Sequence, residues 1–280
     1  MLTISVPMVT MRFFCESFMQ RACLIIFLLF FATSVDAACC FCQLPKCRHQ
    51  FEIGPEFYHV KRTRKGGTEQ RGYLGGGRAR YDYIARYHIY WGLETAYAYG
   101  TLRGKSGDEI RLKSHFSDLS FEARLGYTFQ SKTGCCAQFI PFVGCGYFVE
   151  RNDYVKPTPL SIHFRNTFYY TAVGAFSRAY ITPNLTIGLE LTTKFSIDGK
   201  VKVSHDSEVD AGSLRYENKI HFRAAVPFTY KMCFCKYPTE FCVAPFYEYR
   251  HYGHHHNVPF DFLDTKIKNF GLDLFYVIRF

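Results

Sequence analysis

From Lys268 to Phe280 the chain places an apolar residue at every second position. Phe270, Leu272, Leu274, Tyr276, Ile278 and Phe280 fall on one side of the backbone, and Asn269, Gly271, Asp273 and Arg279 on the other. Successive side chains of an extended strand point to opposite faces, so a period of two predicts a strand with one apolar and one polar face. The pattern recurs upstream. Leu119, Phe121, Ala123, Leu125, Tyr127 and Phe129 alternate with Asp118, Ser120, Glu122, Arg124 and Gly126. Leu185, Ile187, Leu189, Leu191 and Phe195 alternate with Thr186, Gly188, Glu190, Thr192 and Lys194, and Ile220, Phe222, Ala224, Val226 and Phe228 with Lys219, His221 and Arg223. This periodicity predicts ten strands, near 50–60, 71–83, 88–100, 115–129, 137–150, 163–178, 184–197, 214–230, 241–252 and 266–280. An eight-strand reading stays open if the first pair is misassigned.

Ala22 to Ala32 is an uncharged apolar run of signal-peptide size, preceded by Arg21 and followed by the small residues of Val35-Asp36-Ala37. The expected organisation is a signal peptide over 1–37, a cysteine-rich segment over 38–49 and a barrel over 50–280. Cys39 raises a lipoprotein reading, but Asp36 stands where a lipobox has Leu. No later segment approaches the roughly 20 uninterrupted apolar residues of a membrane helix, so a membrane assignment rests on strands. Aromatic residues are 18% of the chain, 21 Tyr and 29 Phe against one Trp, which suits alternating faces better than a compact apolar core.

The closing strand carries a polar residue, a glycine two positions on and spaced apolar residues: Asn269, Gly271, Leu274, Tyr276 and the final Phe280. This resembles the insertion signal of Gram-negative outer-membrane β-barrels. The resemblance implies a closed antiparallel up-and-down transmembrane β-barrel in the bacterial outer membrane, exported through Sec and delivered to a barrel-assembly machinery. The connections fit that layout. Those near 84–87, 131–136 and 178–183 are short, and those near 61–70, 101–114, 151–162, 198–213 and 253–265 are long. The turn at 231–240 is longer than its periplasmic place demands. A lipocalin-like soluble barrel would alternate similarly with its apolar face inward; the terminal signal and the loop asymmetry favour the membrane.

An Arg or Lys facing lipid at mid-depth costs roughly 2–4 kcal/mol, so parity assigns the charged face to the lumen. Arg78, Arg80, Arg124, Lys194, His221, Arg223 and Arg250 are then lumen-lining, with Glu94, Glu122, Glu190, Glu248 and Asp273. They form either a self-neutralising plug or a narrow, weakly anion-preferring pore. The inward Gly92, Gly100, Gly126, Gly144, Gly146 and Gly188 either leave room for water or ease strand curvature.

Cys39, Cys40, Cys42, Cys47, Cys135, Cys136, Cys233, Cys235 and Cys242 map to the periplasmic rim, where an oxidising compartment favours disulfides within the chain or to neighbours. The cysteine habit resembles that of chlamydial cystine-rich outer-membrane proteins, which implies an envelope-structural role and cysteine-rich partners. A zinc reading of Cys39, Cys42 and Cys47 with Cys233 and Cys235 matches no standard finger spacing, and no metal or cofactor is expected. His254-His255-His256 reads as a solvated loop. His205, Asp206, Asp210, Asp261 and Asp264 permit comparison with ten-stranded outer-membrane proteases, but no motif carries such residues across, and a non-enzyme is expected. Gly75-Gly76-Gly77 opens no helix and is no phosphate cradle. The formal net charge of +10 suits outer-membrane lipid and anionic lipopolysaccharide, not nucleic acid.

Overall fold

The computed structural model describes residues 48–280 apart from 86, 108–109, 131–136, 160–161, 205–211, 216–219, 235–236 and 254–263. The strands are β1 (His49–Arg64), β2 (Thr68–Tyr83), β3 (Ile89–Ser106), β4 (Ile110–Tyr127), β5 (Phe129–Gln130), β6 (Ala137–Tyr154), β7 (His163–Tyr180), β8 (Leu185–Ser204), β9 (Gly212–Arg215), β10 (Ile220–Ala225), β11 (Phe228–Phe234), β12 (Tyr237–Tyr252) and β13 (Thr265–Arg279). Every pairing is antiparallel, and β13 returns to β1, so the sheet closes. At the seam His49 and Phe280 exchange both backbone hydrogen bonds at 3.0 Å, and their rings stack.

These strands make ten staves. β5 keeps the register of β4 against β6, Gly126 facing Phe142 and Phe129 facing Phe139. β9, β10 and β11 follow one register along β8: Arg215 faces Lys200, Ile220 faces Phe195 and Phe228 faces Ile187. The stave is interrupted at Pro227, which has no N–H to give to the ladder. The ten-stave reading of the sequence therefore stands over the eight-stave one.

Alternation decides what each wall shows. On β3, Ile89, Trp91, Leu93, Tyr97 and Tyr99 are exposed outward while Tyr90, Glu94, Ala96, Ala98 and Leu102 are buried inward. Leu189, Phe222 and Leu274 lie on the outer face, and Glu190, Arg223 and Asp273 are buried. The outer wall is thus an uncharged apolar belt, which excludes the soluble-barrel alternative. One bulge changes the phase. Tyr170 faces Ser196 and Tyr169 faces Asp198, so Ile197 is an extra residue on β8. Beyond it Val201 and Val203 turn inward, and Lys200 and Lys202 turn outward.

Two expected loops are strand. β1 and β2 pair up to Arg64 facing Thr68, and β3 and β4 up to Ser106 facing Ile110. The segments 61–70 and 101–114 lack an apolar face because the staves continue beyond lipid depth, where the outer face meets water. The turn at 231–240 likewise shrinks to the two residues between Phe234 and Tyr237. The rim with His49 and Phe280 keeps short connections. The opposite rim has two tight hairpins and three longer connections, at 155–162, 205–211 and 253–264.

Leu93 sits mid-belt on the outer face. Leu93→Arg is expected to lower unfolding free energy in lipid vesicles by about 2–4 kcal/mol, whereas Lys105→Leu near the loop rim is expected to cost under about 0.5 kcal/mol. Urea titration of the folded gel band measures both.

Candidate functional site

Ten staves enclose a narrow lumen, and side chains fill it. Near the terminal rim, Tyr90, Ile140, Phe142 and Phe176 form one apolar cluster, and Cys242, Ala244, Phe275 and Val277 another. A larger cluster, including Val60, Leu102, Phe116, Phe168 and Tyr252, runs from mid-height toward the loop rim. Charge occupies the middle.

Arg78, Glu94, Glu122, Arg124, Glu190, His221, Arg223, Glu248, Arg250 and Asp273 are all buried inside, with Arg80 and Lys194 nearly so. Glu94 is the hub. Its Oε1 accepts from Arg78 Nη1 at 2.5 Å, and its Oε2 accepts from Arg80 Nη2 at 2.6 Å and Arg124 Nη2 at 3.0 Å. Arg124 uses the rest of its fork on Glu122 at 2.6 Å and Glu190 at 2.9 Å. Arg78 reaches Glu56 at 2.7 Å, and Arg223 reaches Asp273 at 2.6 Å. Lys194 meets Glu122 at 2.7 Å, and Arg250 bridges Asp118 at 2.7 Å and Glu248 at 2.8 Å. Planar guanidinium forks suit such shared carboxylates, since each offers five donors in fixed directions. Arg223 and Arg250 also lie over the rings of Phe246 and Phe148, at 3.7 and 4.6 Å. His221 stands outside the ion pairs, edge-on to Phe168 and Tyr252.

Sequence reasoning missed part of this lattice. Glu52, Glu56, Asp118 and Glu150 are buried anions, and four inward tyrosines cap carboxylates. Tyr58 donates to Asp118 at 2.8 Å, Tyr90 to Asp82 at 2.6 Å, Tyr170 to Glu122 at 2.9 Å and Tyr252 to Glu150 at 2.8 Å. Glu52 and Glu56 obey the same parity as Tyr58 and Val60; the intervening Gly54-Pro55 obscured it. The glycines do not leave room for water. A Cβ on Gly146 would lie 2.3 Å from the Tyr170 ring, and one on Gly92 2.3 Å from the Tyr90 hydroxyl oxygen. Among the described residues, voids of about 30 and 20 Å³ lie within the lattice, each of a size for one or two water molecules.

The cysteines divide. Cys39, Cys40, Cys42, Cys47, Cys135, Cys136 and Cys235 lie outside the described residues, and Cys233 faces Pro238 in the β11–β12 register. The strand ends flanking 131–136 and 235–236 lie on the rim that carries His49 and Phe280. Cys242 departs from the expectation: β12 begins at Tyr237, so the thiol points into the lumen, buried and free. Cys145 is free on the outer wall. Asn269 is buried, Gly271 and Leu274 are half-buried, and Tyr276 and Phe280 are exposed outward.

His205, Asp206, Asp210, Asp261 and His254 to His256 lie outside the described residues. Asp264 contacts His251 at 2.6 Å, and Asp153 contacts His163 at 2.9 Å. The two pairs sit on different sides of the ring, between β12 and β13 and between β6 and β7.

No protein-family model matches the chain, and no curated protein matches it in sequence. Solved structures share the architecture. The outer membrane protease OmpT from Escherichia coli matches with a TM-score of 0.51 at 10% identity, over 83% of this chain and 96% of its own. The translocator domain of the autotransporter NalP from Neisseria meningitidis gives 0.47 at 9% identity, over 95% and 98%, and the outer membrane protein OprG from Pseudomonas aeruginosa 0.42 at 12%, over 84% and 97%. Such identities establish fold alone. The likeness to OmpT and the apolar outer belt agree on the fold of a bacterial outer-membrane β-barrel, with short connections on the terminal rim and longer ones on the other.

Glu94→Gln keeps the shape of the hub and removes its charge among three arginines. Breaking a buried ion-pair network on one side costs about 3–5 kcal/mol, and a loss of that size is expected in urea unfolding in detergent.

Proposed function

We propose that the protein is a closed, non-conducting barrel with an envelope-structural or surface-interaction role, cross-linked through cysteines at its periplasmic rim. The lumen carries this reading. Inward cations and inward carboxylates neutralise one another through short contacts, and among the described residues two voids between them have molecular-water dimensions. A pore needs a continuous wet path with weak binding along it. The cysteine-rich sequence adds the cross-linking part. Cys135, Cys136 and Cys235 belong to connections of the same rim that the segment bearing Cys39 to Cys47 enters. This habit is in line with cystine-rich envelope proteins of chlamydial type. A small anion-preferring channel is the rival; the basic net charge supports it, and the occupied lumen opposes it. The protease alternative has only the shared fold with OmpT behind it.

Planar-bilayer recording separates the first two. Wild type is expected to stay silent as salt is raised, and Glu94→Ala combined with Arg124→Ala is expected to open discrete conductance steps. Salt-scaled conductance by wild type would instead establish the channel. A non-reducing gel of isolated envelopes addresses the cysteines. A high-mass band should vanish with reductant, weaken in Cys135→Ser with Cys136→Ser, and persist in Cys242→Ser.

A further inference from the structure

One buried cation of the lumen stands apart from the charge lattice. Arg78, Arg80, Arg124, Arg223 and Arg250 each hold a carboxylate at 2.5 to 2.7 Å. Arg62, on β1 near the loop rim, is only 3% exposed, yet it meets no carboxylate among the described residues. Its Nη1 donates to the neutral amide oxygen of Gln70 at 3.3 Å, and its Nε and Nη2 have no partner among the described residues. Those two nitrogens share one edge of the guanidinium plane. Their N–H bonds run side by side, the geometry that takes two oxygens of an oxyanion at once. Holding a lone charge away from water is unfavourable unless a counterion joins it.

The neighbours continue the pattern. Arg64, two residues on, lies over the Phe164 ring at 5.3 Å, so a second cation stands beside the first on the inner face. Gln70 ties this corner to β4 and β6. Its Nε2 donates to Ser114 Oγ at 3.0 Å, and Tyr154 donates to its Oε1 at 3.2 Å. Asn152, two residues before Tyr154 on the same face, is 1% exposed, and neither its Nδ2 nor its Oδ1 has a partner among the described residues. Asn166 on β7 is its diagonal neighbour, since Asn152 faces Phe164 and Glu150 faces Asn166. Asn166 gives its Nδ2 to Glu150 at 3.0 Å, and its Oδ1 has no partner among the described residues. Glu150 is turned to other groups: Tyr252 donates to it at 2.8 Å, and Arg250 lies 3.7 Å away.

The unmet atoms define the ligand. Arg62 Nε and Nη2 and the Asn152 amide nitrogen need acceptors, and the amide oxygens of Asn152 and Asn166 need a donor. Chloride and sulfate offer acceptors alone. Hydrogen phosphate offers a two-oxygen edge, a further oxygen and an O–H. All of these atoms are shielded from water, so the ligand is a small ion and not a glycan or a lipid headgroup. We propose that Arg62, Arg64 and Asn152 hold one hydrogen phosphate ion in the lumen beneath the loop rim, with its O–H donating to an amide oxygen. The ion enters from the loop rim. Arg62 is three residues from Lys65 in the first hairpin turn, about 10 Å along the strand, and it faces Gln70, ten residues along β2 from Arg80 of the deeper lattice. The site needs only the closed barrel, so it stands apart from rim cross-linking, and it retains an ion where a pore would pass it.

Equilibrium dialysis of the full barrel in neutral, phospholipid-free detergent tests this, with radiolabelled inorganic phosphate as probe and sulfate as competitor at fixed ionic strength. Wild type and Lys268→Gln, a control on the outer wall beside β1, should take up about one phosphate per barrel, and Arg62→Leu should bind it at least about tenfold more weakly. Unlabelled phosphate should displace the probe at least about tenfold better than sulfate, which lacks the donor. Thermal unfolding gives a second readout. Phosphate should raise the Tm of wild type and control and leave that of Arg62→Leu unchanged. In phosphate-free detergent Arg62→Leu should unfold at the same or a higher temperature than wild type, because a buried charge without a counterion has been removed. A lower Tm there, or failure of Arg62→Leu to fold, would show that the chain supplies its own counterion, and the proposal is overturned. Absence of saturable uptake by wild type overturns it, as does equal uptake by Arg62→Leu. Equal displacement by sulfate removes the assignment to phosphate.

Discussion

A backbone crossing hydrocarbon has no water to satisfy its amides, and each unpaired group costs several kcal/mol. Closure of the sheet is the response here, and the rest of the structure follows from it. Once β13 meets β1, every wall residue must face lipid or lumen. The apolar face goes outward because lipid rejects charge. The lumen must then hold what lipid rejects, in a space too narrow for bulk water. The crowded lattice around Glu94 is the consequence of wall geometry as much as of any function.

That lattice is not a simple salt bridge. A buried ion pair recovers its desolvation only where geometry and further hydrogen bonds are good. Arg124 meets three carboxylates, and Glu94 meets three arginines. The tyrosine hydroxyls add donors to the lattice carboxylates, and Tyr58 shares one Asp118 oxygen with Arg250. Polar satisfaction of this kind specifies one arrangement of the interior. Large aromatic residues above and below it complete the filling, so the inner face is mixed, not merely polar.

Much of this was legible in the sequence. The two-residue period marked the staves, and the terminal strand with Asn269, Gly271 and Phe280 pointed to the barrel class. The inward positions of Arg78, Glu94, Arg124 and Glu190 followed from parity. Where the text failed, the physics differed. Lys61 to Gln70 has charge on both faces, which reads as loop, yet a stave above the lipid needs no apolar face. Ile197 shifts the phase of β8, and an inserted residue leaves no mark in composition. Tyr58, Tyr170 and Phe168 look like membrane-facing aromatics until their register is known. Cys242 read as a rim residue because the strand around it was begun too late.

The seam between β1 and β13 joins Gln50 to Arg279, two ends of a very long loop. Nearest-neighbour hairpins can zip in sequence, but this last pairing carries a loop-closure entropy that nothing local repays in advance. Until it forms, two unsatisfied edges remain, each competent to pair with a foreign strand. The stacked rings and paired amides of His49 and Phe280 sit at that final junction. They act as a clasp, converting a sticky open ribbon into a cylinder with nothing left to join.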